Sequence, residues 1–197
     1  MADGIDEAVK YATIAIVLLI GSPVAAQDDV QTRMRFWSTS LGVQCTHCHV
    51  DGAWTDTSKP TFDFARRMRS MLQGINAGPL KVVEPITCWT CHRGQARPAR
   101  LPMSAWQEVQ QKHVGEFTTP ERSLAMSVYS ASLGAECSHC HEPGSFSAPT
   151  KPAYQMVAKM LPIFDEIPKH FADSPRKPVT QCYMCHHGQL IPERSPR

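Results

Sequence analysis

The chain has 197 residues and a formal charge of +2, which allows one domain or two small ones. Its composition excludes a disordered chain and a multi-pass membrane protein. Sixteen prolines against four tyrosines weigh against a sheet-rich fold, and no basic run interleaved with aromatics points to nucleic acid.

The first element is a leader. Residues 11–20 are nearly all apolar and are followed by Pro23-Val24-Ala25-Ala26. The apolar run is short for a bilayer span and has the shape of a secretory h-region with small residues at a cleavage site. Residues 1–26 are therefore expected to be a signal peptide or an uncleaved N-terminal anchor. Lys10 stands against Asp3, Asp6 and Glu7 where a signal peptide would carry a basic start, so both readings remain. Either one exports the body to the periplasmic or extracytoplasmic face of the membrane.

A helix is expected over Val30–Leu41, with Val30, Met34, Trp37 and Leu41 on one face and Gly42 as its stop. Cys45-Thr46-His47-Cys48-His49 follows. A second helix begins near Pro60, a good first-turn residue. Phe64, Met68, Met71 or Leu72, and Ile75 line its apolar face, and it leads to Cys88-Trp89-Thr90-Cys91-His92. Residues 98–119, with Pro98 and Pro102 around their start, read as a linker. Further helices are expected from Pro120 and Pro152, leading to Cys137-Ser138-His139-Cys140-His141 and Cys182-Tyr183-Met184-Cys185-His186.

All eight cysteines thus fall in four C-x-x-C-H motifs, the haem-attachment signature. Two thiols reach the two vinyl groups of one porphyrin, and the next histidine is carried under the iron. Zinc ribbons space their pairs by about 15–20 residues. Disulfides leave the four histidines without a role, and thioredoxin-like motifs require a βαβ setting. The expected cofactors are four covalently bound haems c. Cys45, Cys48, Cys88, Cys91, Cys137, Cys140, Cys182 and Cys185 would be the tethers, with His49, His92, His141 and His186 as iron ligands.

Shifted by 92 residues, the chain overlays itself. Met34, Ser40, Leu41, Gly42 and the first motif fall on Met126, Ser132, Leu133, Gly134 and the third; Lys59, Pro60 and Met68 fall on Lys151, Pro152 and Met160. At an offset of 94, the second motif with Gly94 and Gln95 falls on the fourth with Gly188 and Gln189. The body therefore divides into a first dihaem repeat at 27–97, the linker, and a second dihaem repeat at 120–197. The expected fold is mainly α, with duplicated helix–haem-loop units around four haems, little regular structure between them, and little or no sheet.

Among nine methionines, only Met34, Met68, Met126 and Met160 survive the overlay as pairs, each on the apolar face of a helix that precedes a haem loop. A thioether suits haem iron opposite histidine, so these four are the candidate sixth ligands. Met71 falls on Ile163 and reads as packing. His113 and His170 have no counterparts and read as surface or linker residues.

The helix ending Leu41-Gly42-Val43 before Cys45, the run from Ala65-Arg66-Arg67-Met68 to Ile75-Asn76, and Thr87-Cys88-Trp89-Thr90-Cys91-His92-Arg93-Gly94 resemble the tetrahaem cytochrome subunit of photosynthetic reaction centres and its relatives. The resemblance covers about residues 30–192. It implies helical methionine as sixth ligand, two haem pairs about a local two-fold, and delivery of electrons to an oxidised partner in a membrane complex. This chain is much shorter than typical reaction-centre subunits. The fourth haem of that family often takes two histidines, where the repeat here supplies Met160.

The expected role is an electron carrier with redox protein donor and acceptor, not an enzyme. Membrane association through the N-terminal apolar segment and self-assembly are both compatible with the sequence. A multihaem reductase would need an iron with an open position. A structural haem subunit of an assembly or filament is the other alternative.

Overall fold

The computed structural model describes residues 29–78, 81, 85–174 and 180–196; the leader and its cleavage boundary lie outside these. Residues 1–33 and 34–197 group as separate units. In the first of these, Asp29 caps the chain's entry into helix by accepting from the Gln31 amide at 3.1 Å and the Thr32 hydroxyl at 3.3 Å.

The described residues are mainly helical, with no sheet and two isolated bridges, Val50 to Ala53 and Glu142 to Ser145. The helices are α1 (Val30–Leu41), α2 (Pro60–Ala77), α3 (Cys88–His92), α4 (Met103–Lys112), α5 (Pro120–Leu133), α6 (Cys137–Cys140), α7 (Pro152–Met160), α8 (Pro162–Lys169) and α9 (Tyr183–His186), with a 3₁₀ turn at Cys45–His47. α2, α5 and α7 each begin on proline, whose fixed φ suits a first turn and whose missing N–H is no loss there.

Two features differ from the sequence reading. The stretch 98–119 holds a ten-residue helix, α4, entered through Pro102 and packed on α5. The partner of α2 is broken into α7 and α8 at Leu161, because Pro162 cannot donate the bond that would continue the helix.

Among the described residues, the buried hydrophobic side chains are Ile75, Ile86, Ile167 and Phe171. Ile75 and Ile167 are related by the 92-residue repeat, so the core lies at the seam between the halves, where α2 meets α8 and Ile86 leads into α3. Asn76 ties the end of α2 to this seam through two 2.9 Å bonds with the backbone of Ile86. Four such side chains, at roughly 2 kcal/mol each, make a small apolar core. The apolar faces of α1 and α5, including Met34, Trp37, Met126 and Tyr129, are only half-buried.

Candidate haem-attachment sites

Within each half, the first helix is locked to the second motif by backbone contact. The Gly94 amide donates to Ser40 O at 2.8 Å, and the Gly188 amide to Ser132 O at 2.9 Å. Arg93 and His187, just after their motifs, are left-handed at φ 46° and 51°. This turns the chain back toward the helix, at a cost of about 1–2 kcal/mol for a side chain there. The approach is so close that a Cβ on Gly42 would lie 1.9 Å from Gly94 O, and one on Gly134 2.1 Å from Gly188 O. Both glycines have positive φ.

The motif histidines are oriented by backbone carbonyls. Nδ1 of His49 meets Trp54 O, Nδ1 of His92 meets Gln95 O, and Nδ1 of His186 meets Gln189 O, each at 2.9 Å. Since a carbonyl only accepts, Nδ1 carries the proton and Nε2 keeps its lone pair. This is the arrangement an imidazole needs as a metal ligand. Burial holds His92 and His186 below the ordinary histidine pKa, with the Arg93 charge adding to the effect at His186, so both favour the neutral, ligating form. Nδ1 of His141 is buried and without a hydrogen-bond partner.

The first and third motifs share an aromatic wall. His49 stands edge-on to Phe62 at 5.5 Å and near Trp54 at 6.1 Å. His141 has Tyr154 at 5.5 Å and Phe146 at 5.6 Å, the residues related to Phe62 and Trp54 by the repeat. Lys59 and Lys151 each donate to the carbonyl after the first cysteine of the preceding motif, Thr46 O and Ser138 O. Burial raises the pKa of Cys48, Cys88, Cys137, Cys140 and Cys182, keeping them as thiols.

Met34, Met68, Met126 and Met160 are all half-buried, on α1, α2, α5 and the last residue of α7. Met160 differs from the other three by packing with Met71, Leu72 and Ile163 against the Ile75–Ile86–Ile167 core.

Several neighbours of the motifs were not expected. His113 lies beside the third motif rather than at the surface, its side chain 14% exposed. Its Nε2 is 3.9 Å from Cys137 Sγ and its Nδ1 2.9 Å from Glu116 Oε2. With Glu136, Cys137, His141 and Phe146 it lines a cavity of about 220 Å³. His170 is likewise half-buried, 3.1 Å from Glu166 Oε1. Its helical spacing from Glu166 was readable; its contact with α2, where Gly74 leaves room for the pair, was not.

The structure also brings together what the sequence kept 94 residues apart. Cys91 and Cys185 form a disulfide, with Cα atoms 4.2 Å apart. The other six cysteines are free.

The features that recur are thus a cysteine pair in each motif, with both thiols free in the first and third, a histidine whose Nε2 is directed at three of the four, and a half-buried apolar helix face, and this donor set fits a tethered porphyrin. Comparison with known families agrees: the model of the photosynthetic reaction centre cytochrome C subunit matches residues 15–136. The chain belongs to this family. It is therefore a haem electron carrier of the cytochrome c type. The match takes in the first two motifs and ends one residue before Cys137. No curated protein matches the chain. Among the described residues, no helix is long and apolar enough to cross a membrane.

Proposed function

We propose that the chain binds four haems c, one at each C-x-x-C-H motif, and passes electrons along them to an oxidised membrane complex of the reaction-centre kind. The observation that carries this reading is the His92–Gln95 and His186–Gln189 pair of bonds, alike in both halves. The equivalent bond at His49 extends it to the first motif, and the internal repeat to the third.

In this reading the cysteines tether, the motif histidines ligate iron through Nε2, and Met34, Met68, Met126 and Met160 approach from the preceding helices. Haem iron, when bound, exchanges single electrons between its ferrous and ferric states. The chain's part is to exclude water, favour the neutral imidazole at His92 and His186 and set neighbouring sites close together. Contact between α3 and α9 supports placing the second and fourth motifs side by side at the centre, with the first and third outside them. A neutral thioether ligand together with an imidazole would favour ferrous iron, so fairly high potentials are expected.

With about 43 residues of exported body per haem, porphyrin faces would complete the small core, and haem-free chain would be less stable. Export of the body and its division at 27–97, 98–119 and 120–197 belong to the same proposal.

Intact-mass and peptide mapping of the native protein provide the test. Four thioether-linked haems, one on each motif peptide, are expected; a motif recovered without haem would overturn the count. Redox titration should place the haems among His/Met cytochromes.

A further inference from the structure

Cys91 and Cys185 are the second cysteines of the second and fourth motifs, one from each half. The four-haem reading assigns both to porphyrin, yet the structure joins them to each other. The two states exclude one another, because a sulfur in a disulfide has no S–H to add to a vinyl group.

Contacts that do not involve sulfur favour the approach. α3 packs on α9. The Arg93 guanidinium reaches Cys185 O at 3.5 Å and Glu193 at 3.9 Å, and the Thr87 hydroxyl donates to Arg194 O. Ile86, which leads into α3, belongs to the buried cluster formed where α2 meets α8, so side-chain packing adjoins this contact. The partner thiols within each motif, Cys88 and Cys182, are kept protonated by burial, which slows their attack on the disulfide and its reshuffling. Cys91 and Cys185 are themselves only half-buried, within reach of a reductant.

We infer that the exported chain, before haem attachment, carries a reversible Cys91–Cys185 disulfide that closes the second and fourth motifs to haem while leaving the first and third open. The inference rests on the four-haem reading. In forming the bond, the two thiols give two electrons and two protons to a disulfide oxidant, which becomes a dithiol. A dithiol reductant reverses the step, returning both S–H groups and leaving as a disulfide. Each freed thiol then adds across a vinyl C=C, sulfur to one carbon and hydrogen to the other. Dithiol–disulfide exchange must therefore precede thioether formation at two motifs and not at the other two.

The test uses the full chain exported from cells that lack haem attachment. Thiols are trapped in acid with N-ethylmaleimide, and the chain is digested without reductant and mapped by mass. A peptide pair linked through Cys91 and Cys185 is expected, with the other six cysteines alkylated; dithiothreitol before trapping should release and label these two. Recovery of Cys91 and Cys185 as free thiols, or paired with Cys88 and Cys182, would overturn the inference. In cells that attach haem, mild oxidation with diamide should lower haem at the second and fourth motifs severalfold more than at the first and third. Equal loss at all four would overturn the closure. Native protein with four haems but no linked peptide in the haem-free chain would sink this inference alone. Native protein without haem at the second and fourth motifs would sink the four-haem reading.

Discussion

In the first half one helix, α2, runs unbroken from Pro60 to Ala77; in the second the equivalent stretch is α7 and α8, parted at Leu161. Pro162 starts α8 and Pro168 lies inside it, yet Ile75 and Ile167 still reach the same core. The haem loops show the opposite behaviour. His92 and His186 make the same bond, Gly94 and Gly188 the same contact, and Lys59 and Lys151 the same reach to a loop carbonyl. Apolar packing needs only area and tolerates a break, whereas a loop that must aim an imidazole is set by directed backbone bonds. Where the loops differ, the neighbours differ too. Lys112, His113 and Glu136 crowd the third motif, and Arg93 in the first half is replaced by His187 in the second.

The largest effect should come from the glycines at the helix–loop contacts. Gly42→Ala and Gly134→Ala each drive a Cβ into a backbone oxygen at positive φ. Each should cost about 3 kcal/mol or more, with haem lost from the second motif in one variant and the fourth in the other. Thermal melting and haem-peptide mapping measure this. If either variant keeps its melting point and haem, the two contacts are not equivalent.

Next comes the methionine series. Met34→Leu, Met68→Leu and Met126→Leu should each remove one iron–thioether optical signature. Each should also lower one haem potential by a sizeable part of the roughly 0.8 V that axial ligands span. Met160→Leu is the discriminating member because Met160 packs in the core. As a ligand it behaves like the other three; as packing it costs under about 1.5 kcal/mol and leaves every potential in place. A smaller change is expected from Pro162→Ala, under about 1 kcal/mol, because the amide it restores to the α7–α8 junction is offset by the freedom the unfolded chain gains. Circular dichroism should show α7 and α8 gaining helix between them.

Much of this was readable beforehand. The four motifs, the repeat, the starts at Pro60, Pro120 and Pro152, and the glycine after Leu41 and Leu133 are local signals, and each follows from one residue's conformational preference. The α4 helix went unread because Pro98 and Pro102 outweighed the helix formers after them, although Pro102 leads into a helix as readily as it ends one. Pro162 carried the same ambiguity. The Cys91–Cys185 approach, the Arg93–Glu193 pair and the place of His113 beside Cys137 join residues far apart in sequence. The first two are chosen by how the halves pack and the third by how α4 packs on α5, and no periodicity within a half encodes either.

The smallest effect isolates the charge at the third motif. Glu136 precedes Cys137 as Gln44 precedes Cys45, so Glu136→Gln makes the second half resemble the first. Lys112 Nζ donates to both Glu136 oxygens, at 3.0 and 3.1 Å, and this bond, with the lysine's charge, holds the carboxyl below its ordinary pKa. The unfolded chain, with the ordinary value, takes up the proton first as the pH falls. The contribution to stability is therefore fully present above the ordinary carboxylate pKa and is lost as the pH drops toward the lowered one. Both partners are exposed, so the effect is small and weakens with salt. The variant should melt slightly below the parent at neutral pH and low salt, and the difference should close through the carboxylate range. A difference that persisted on the acid side would mean that Glu136 acts through packing, and the contrast between the two loops would not be electrostatic.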